Sequence, residues 1–290
     1  MCQAIIVQLM SDDIRAGPVI ATDDTVMPLA NDIPGRGRTI QGRLWIYRGG
    51  PPDKPPLIVF RFTRTRSQSE PLDFFKDYAG YLQGDGYPGY QLLFKDGNIK
   101  HVACNVHARR KFVEVVRSMK KAHRAHEAIA MYKQLYKVEK VVKTLPLNER
   151  SDYRKQHAVP ILKQMEAWLL HQKSGVLPKS KLGKAISYCL NFWPALKRYV
   201  EADYLEPDNN EVERIVRIAA LGRKNYLMAG SERGGQAIAT FYSLTESAKA
   251  HQLNVLHYLT DVLERLPYCK TIEDYRALTP NRWKPANLLN

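Results

Sequence analysis

Strand-forming runs are confined to the first part of this chain, and beyond about residue 112 the apolar side chains recur at helical spacing instead. Three apolar runs, at residues 19–24, 44–47 and 57–62, are joined by short turns, which predicts an antiparallel meander. Two shorter runs, at 81–83 and 101–104, predict two further strands. This order of elements predicts an α/β fold with a mixed sheet and flanking helices.

Residues 113–200 contain no strand-forming run and predict three to five helices. The predicted breaks lie near Pro146, Pro160, residues 175–178 and Pro194. This segment is too long and too regularly patterned for a loop, so we predict an all-helical insertion that interrupts the sheet domain.

The same patterns give a predicted domain organisation, with two helices near the end of the chain at 237–249 and 255–266. Gly234 and Gly235 precede the first of these helices, and a basic, glycine-rich turn is predicted at 35–38. The predicted parts are residues 1–112 for the first part of the core, 113–200 for the insertion, 201–267 for the helices that complete the core, and 268–290 for a C-terminal tail.

The charge balance of the 290-residue chain indicates a polyanionic partner, because 44 Lys and Arg face 29 Asp and Glu, for a net charge of +15. Nucleic acid is the simplest such partner, since neutralised phosphates release counterions. An apolar spanning run and a signal peptide are both missing from the sequence, which predicts a cytoplasmic protein. Four scattered cysteines without a Cys-x-x-Cys motif predict reduced thiols.

Three acids occupy comparable places in the predicted elements. Asp23 ends the first strand, Asp85 follows the fourth strand between two glycines, and Glu213 lies near the start of a late helix. Asp208 is a good N-cap for that helix, and the apolar stripe of the helix puts Glu213 at its edge, beside Arg217. Each acid also has an ordinary interpretation: a loop acid, an Asp-Gly turn, and a solvated ion pair with Arg217.

Several longer motifs follow one another in a specific order along nearly the whole chain. They are residues 23–25 with 42–47, residues 85–90, residues 104–112, residues 209–214, residues 222–225 with 229–231, and residues 258–263. In these motifs the chain resembles the insertion-sequence family sixty-six transposases. That resemblance implies a ribonuclease-H-like core with an Asp, Asp, Glu triad.

By this resemblance Asp23, Asp85 and Glu213 are the catalytic residues and the ligands of two Mg²⁺ ions, for which Mn²⁺ can substitute. Hard cations of this kind prefer carboxylate oxygens. Asp24 stands where the family usually has Glu or Asp and is the alternative to Asp23. The chain departs from the family pattern at Val26 and Asn105, where Pro and Trp are usual.

The resemblance also implies that the partner is DNA, both transposon ends and target DNA, and that the active complex is a homo-oligomer with accessory proteins of the same element. Basic residues near the motifs are candidates for contacts with the DNA backbone. These candidates, together with one histidine, are His107, Arg109, Arg110, Lys111, Arg214, Arg217, Arg223 and Lys224.

Two smaller features of the sequence each have two possible interpretations. Cys104-x-x-His107 has the spacing of half a zinc site, but the second half is missing. Tyr87, Tyr90 and Tyr226 lie among basic residues and are either stacking platforms for bases or core residues.

The resemblance implies the carboxy-terminal catalytic part of such a transposase, because the usual amino-terminal helix-turn-helix and cysteine-bearing segment have no counterpart here. The expected activity is metal-dependent strand cleavage and strand transfer. The alternatives are a structure-directed nuclease on the same fold and an inactive remnant that only binds DNA.

Overall fold

The computed structural model describes residues 2–30, 39–119 and 122–285 of the chain, so the turn predicted at 35–38 lies outside the described residues. The strands are β1 (Val19–Ala30), β2 (Thr39–Gly49), β3 (Leu57–Thr63), β4 (Gly80–Gly84) and β5 (Ile99–Ala103). The helices are α1 (Cys2–Arg15), α2 (Ser69–Phe74), α3 (Asn105–Ser118), α4 (His123–Val142), α5 (Arg150–His157), α6 (Val159–Ser174), α7 (Lys181–Lys197), α8 (Asn210–Tyr226), α9 (Glu232–Ala250), α10 (Val255–Arg265) and α11 (Ile272–Ala277).

The five strands form one sheet in the order β3-β2-β1-β4-β5. β1 pairs antiparallel with β2, and β2 pairs antiparallel with β3, which confirms the predicted meander. With its flanking helices this is the predicted α/β, ribonuclease-H-like arrangement. β1 is longer than predicted because residues 25–30 continue the strand by alternating buried and half-buried positions rather than by an apolar run.

The chain divides into two compact units. The sheet unit consists of Met1–Leu82, Pro88–Ile99 and Asn210–Asn290, and the helical unit consists of Gln83–Tyr87 and Lys100–Asn209. The helical unit contains α3 to α7, and the sheet unit contains β1 to β3, α1, α2 and α8 to α11.

The core of the sheet unit lies between one face of the sheet and the helices α8 and α9. Alternate residues of β1, including Ala21, Met27 and Leu29, are buried together with Val212 and Ile215 of α8. This period of two on the strand and three to four on the helix is the pattern expected of a helix packed on a sheet.

α9 covers the edge of the sheet formed by β3. The backbone N–H groups of Ile58 and Phe60 donate to the hydroxyl oxygens of Ser247 and Ser243, each at 2.8 Å. Ser243 and Ser247 are four residues apart, a rise of about 6 Å along the helix. Ile58 and Phe60 are two residues apart, about 6.7 Å along the strand, so the hydroxyls and the N–H groups have matching spacings. The buried serines therefore satisfy strand donors that another strand would otherwise bind.

Gly234 and Gly235 lie inside the first turns of α9, so the prediction that they precede the helix is wrong. The helix begins at Glu232, because Ser231 is its N-cap and accepts the Gly234 N–H at 3.0 Å. A Cβ atom on Gly235 would lie 2.7 Å from the ring of Phe62. Close packing of α9 against β3 thus requires this glycine.

The helical unit confirms the predicted break at Pro160, which lies in the first turn of α6. The predicted break at Pro194 is wrong, because Pro194 lies inside α7. Proline removes one hydrogen bond from a helix interior. Its neighbours Trp193, Ala195 and Leu196 are buried, and their packing keeps α7 continuous through this position.

A buried ion pair joins α4 to α5 within the helical unit. The Arg154 guanidinium donates from Nη2 to Glu139 Oε2 at 2.8 Å and from Nε to Oε1 at 3.0 Å. Both side chains are at most 3% exposed, and Arg154 also donates to the Tyr199 carbonyl at 3.4 Å. The bidentate geometry and the added hydrogen bond compensate the desolvation of both charges.

The described part of the chain has no helix that is both long and apolar enough to cross a membrane. Cys104 and Cys189 are buried free thiols, and Cys269 is a half-buried one, as the scattered cysteine positions predicted.

Substitution of Ser243 and Ser247 by alanine is expected to lower the free energy of unfolding by about 1–3 kcal/mol for each serine. Each change leaves a buried strand N–H without its acceptor. Urea denaturation followed by circular dichroism measures the effect, with Thr240→Ala as control, since the Thr240 hydroxyl bonds only within α9. Equal stability of the double variant and the control would contradict this account of the sheet edge.

Substitution of Glu139 by glutamine is expected to destabilise the protein by about 3–5 kcal/mol, because Arg154 would remain buried without a counter-charge. Thermal unfolding compared with Glu149→Gln, an exposed glutamate two residues before Ser151, measures the difference. A loss no larger than that of the control would show that the pair is dispensable.

Candidate active site

β1 places Asp23 on the sheet face that α8 covers. Ala21, Met27 and Leu29 share this face by strand alternation and belong to the core beneath α8. Asp23 is half-buried, pairs in register with Ile46 of β2, and accepts the Asp24 N–H at Oδ1 at 2.8 Å. A carboxylate therefore stands at the margin of this apolar interface.

Asp24 lies on the opposite face of β1, where two arginines bind it. Arg43 Nη1 lies 3.1 Å from Oδ2, while Arg66 donates to Oδ1 from Nη2 at 2.7 Å and from Nε at 3.0 Å. The Asp24 side chain is 2% exposed. Two guanidinium groups satisfy its charge and repel a cation, which favours Asp23 over Asp24 as a metal ligand.

Two contacts fix the direction of α8 along β1. Glu211, in the first turn of α8, is ion-paired with Arg48, which stands opposite Ala21 in the β1–β2 register. Beyond the other end of α8, Ala229 forms a parallel bridge with Leu29, and its carbonyl accepts the Ala30 N–H at 2.8 Å. The first turn of α8 therefore lies at the Ala21 end of β1.

Glu213 is in this first turn and is half-buried between the buried Val212 and Ile215. Asp23 is two residues from Ala21, so the packing of α8 on β1 brings the segments that carry Asp23 and Glu213 to the same end of the sheet unit. The helix begins at Asn210, one residue later than the predicted Asp208 N-cap implies, and Asp208 accepts the Tyr136 hydroxyl at 3.0 Å.

Asp85 lies in the helical unit, in a short loop after β4. Its Oδ1 accepts the Tyr87 N–H at 3.0 Å, so the side chain stabilises its own turn. A Cβ atom on the next residue, Gly86, would lie 2.8 Å from the ring of Phe192. The glycine after Asp85 is thus required by close packing of the loop against α7.

Two residues that the sequence did not single out line the Asp85 loop. His101 contacts Phe192 edge-to-face at 5.9 Å, and burial lowers its pKa to about 4, although hydrogen bonds with the Gly84 and Asp85 backbone act in the opposite direction. Burial and then the Asp85 charge raise the pKa of Tyr188 to about 12. Both groups are neutral at pH 7. No local spacing identifies Tyr188, because it is far from Asp85 in the chain.

The predicted DNA contacts lie on two helices, one in each unit. On α3, Arg110 and Lys111 are exposed, whereas His107 and Arg109 are half-buried. On α8, the exposed cations are Arg214, Arg217 and Lys224, with Arg223 half-buried. The exposed cations of both helices are accessible to a phosphate backbone.

Cys104 is part of the core of the helical unit. Its Sγ accepts the Asn209 N–H at 3.3 Å, and burial raises the pKa of the thiol to about 11, so the group is protonated at neutral pH. Among the tyrosines, Tyr90 is 1% exposed and belongs to the core, and the Tyr226 hydroxyl lies 3.1 Å from that of Tyr242.

Known sequences relate to this chain over almost its full length. The profile of the "Transposase IS66 family" matches residues 3–237, and that of the "IS66 C-terminal element" matches residues 243–281. The first match includes Asp23, Asp85 and Glu213.

Three curated proteins of Sinorhizobium fredii (strain NBRC 101917 / NGR234) are also similar. Uncharacterized protein y4jD is 33% identical over 282 residues, which cover 93% of this chain and 55% of that protein. Uncharacterized protein y4hP is 28% identical, over 96% of this chain and 53% of its own length. Uncharacterized protein y4qI is 29% identical, over 94% of this chain and 52% of its own length. The chain spans about half the length of the curated relatives it matches. With a family profile matched over most of its residues, the chain belongs to the IS66 transposase family.

Proposed function

We propose that this chain is a catalytic domain of a DNA transposase, which cleaves DNA at transposon ends and transfers the freed strand to target DNA. The observation that carries the proposal is the position of Asp23 and Glu213 at the same end of the sheet unit, in a chain of this family. Asp85 joins them in the proposal through the family resemblance and through its tightly packed loop.

The donor set fits hard divalent cations. Asp23, Asp85 and Glu213 offer carboxylate oxygens, which Mg²⁺ and Mn²⁺ prefer over nitrogen or sulfur. The neighbouring acids Asp24 and Glu211 are ion-paired with arginines, which leaves them unsuited to the same task. Two bound Mg²⁺ ions would activate the attacking oxygen and stabilise the leaving oxygen during phosphodiester cleavage.

The other residues of the proposed site hold the nucleic acid. Exposed cations on α8, Arg214 and Arg217, follow Glu213 on the same helix and are proposed to contact the DNA backbone near the cleaved bond. Arg223 and Lys224, and the α3 residues His107, Arg109, Arg110 and Lys111, are proposed as further contacts.

The proposal also covers the domains of the chain and its assembly on DNA. Residues 1–112 and 201–267 are proposed to form the catalytic core, with 113–200 as a helical insertion and 268–290 as a tail. The active complex is proposed to be a homo-oligomer on DNA, with accessory proteins of the same element.

Glu213→Gln, Asp23→Asn and Asp85→Asn are each expected to reduce Mg²⁺- or Mn²⁺-dependent nicking of supercoiled DNA at least about a hundredfold, because each removes a metal-binding charge. Nicking is measured on gels, and strand transfer is measured as insertion of pre-cleaved transposon ends into a plasmid. Parent-like nicking by these variants would exclude the triad. Nicking without insertion would favour a structure-directed nuclease.

Glu211→Gln is the matched control, because Glu211 lies two residues from Glu213 on the same helix and binds Arg48. It is expected to keep activity within about threefold, because surface ion pairs contribute little and the Ala229 bridge to Leu29 still fixes α8 along β1. A second readout is the rise in melting temperature on adding Mn²⁺, which Glu213→Gln should lose and Glu211→Gln should keep. DNA binding without nicking or a Mn²⁺-dependent rise in the parent would indicate a remnant that only binds DNA.

A further inference from the structure

A groove of about 480 Å³ lies between α3 and α4 in the helical unit. It is lined by Val106 and Arg109 of α3 and by Lys133, Tyr136, Lys137 and Lys140 of α4. Four of these six residues are cations and none is an acid. Most of the lining surface is apolar, which Val106, Tyr136 and the aliphatic parts of the long cationic side chains provide.

The three lysines of this groove form a stripe along α4, here called the α4 lysine stripe. Lys133, Lys137 and Lys140 are exposed and follow the i, i+4, i+7 spacing of one helix face. They span about 10 Å along the helix axis, close to the rise of three nucleotides of a duplex strand.

No ion pair of the α4 lysine stripe or of Arg109 is found in the part of the chain that the structure describes. Two acids lie in this neighbourhood, and each binds a residue other than these lysines. Glu139, which adjoins Lys140 in sequence, is buried against Arg154, and Asp208 accepts the Tyr136 hydroxyl at 3.0 Å. The positive charge of the groove is therefore directed to solvent and is available to an anion.

Several anionic groups spread over about 10 Å, as along the phosphate backbone of a strand, are the ligand that such a stripe fits. Lysine ammonium groups bind phosphates as point charges without reading bases, so the contact would be independent of sequence. Binding of single strands commonly relies on aromatic stacking platforms. The residues lining the groove include one aromatic, Tyr136, rather than a series on which successive bases could stack, which favours the backbone of a duplex.

We propose that the α3–α4 groove binds the phosphate backbone of duplex DNA through Arg109 and the α4 lysine stripe. This extends the proposed function, on which the choice of DNA as ligand rests, by adding the groove and the lysines of α4 to the DNA contacts proposed for the helical unit. Lys133, Lys137 and Lys140 hold the duplex by charge alone, and Arg109 adds a fourth contact from α3.

The test is the salt dependence of binding to a fluorescein-labelled duplex of arbitrary sequence, measured by anisotropy in the presence of EDTA. In the full chain, Lys133, Lys137 and Lys140 are all changed to glutamine. The slope of log K against log salt is expected to fall by about 2 to 3, because each lost phosphate contact removes about 0.9. Affinity at about 0.1 M salt should fall at least about tenfold.

The matched control changes three other exposed lysines of the helical unit, Lys163, Lys173 and Lys179, to glutamine. This variant has the same net charge and should keep a slope within about 0.5 of the parent. The charge-preserving change of the stripe to arginine should restore the slope, and circular dichroism establishes that each variant is folded. Equal slopes for the stripe and control variants would overturn the proposal, as would a loss confined to single-stranded DNA.

The outcomes separate this proposal from the proposed function. Glu213→Gln retains the α4 lysine stripe and should bind the duplex with the parent's slope even when nicking is abolished. If the stripe variant has the parent's slope while the triad variants lose nicking, the groove assignment fails and the transposase proposal stands. A parent that does not bind duplex DNA overturns the groove assignment, and the nicking assay then decides the transposase proposal separately.

Discussion

The packing of α8 along β1 is the constraint on which the candidate site in the sheet unit depends. The apolar stripe of α8 would allow the helix to slide, because burial of Val212 and Ile215 is not directional. The Arg48–Glu211 ion pair and the bridge between Leu29 and Ala229 remove that freedom at opposite ends. A shift by one helical turn would move Glu213 by about 5.4 Å, so these polar contacts set the position of a candidate ligand.

At the β3 edge of the same unit, the contacts with α9 allow little change in the distance between helix and strand. The serines of α9 satisfy the outer amides of β3, and Gly235 lets the helix approach Phe62 closely enough for those hydrogen bonds to form. α9 therefore prevents β3 from pairing with another strand. One core, in which the sheet packs against α8 and α9, therefore both stabilises the β3 edge and positions Asp23.

The strands, the β1–β2–β3 meander and α8 were predictable from the sequence, because apolar runs, short connections and helical periodicity are local signals. Pro194 and Gly235 were misjudged, since their helices continue through tertiary packing that a local rule does not contain. Asp23 and Asp24 are adjacent and so lie on opposite faces of β1, but only the structure shows which face α8 covers and that Arg43 and Arg66 bind Asp24. His101 and Tyr188 could not be found, because their link to the Asp85 loop is entirely non-local.

Several acids of this basic chain are paired with arginines. Asp24, Glu139 and Glu211 each bind a guanidinium, which neutralises them and fixes the elements that carry them. Because the structural acids take arginines, the exposed lysines of α4 stand without acidic partners in the described residues. The excess of positive charge in this chain, +15 in total, is therefore carried by exposed side chains such as these lysines. A polyanion that approaches the chain contacts them first.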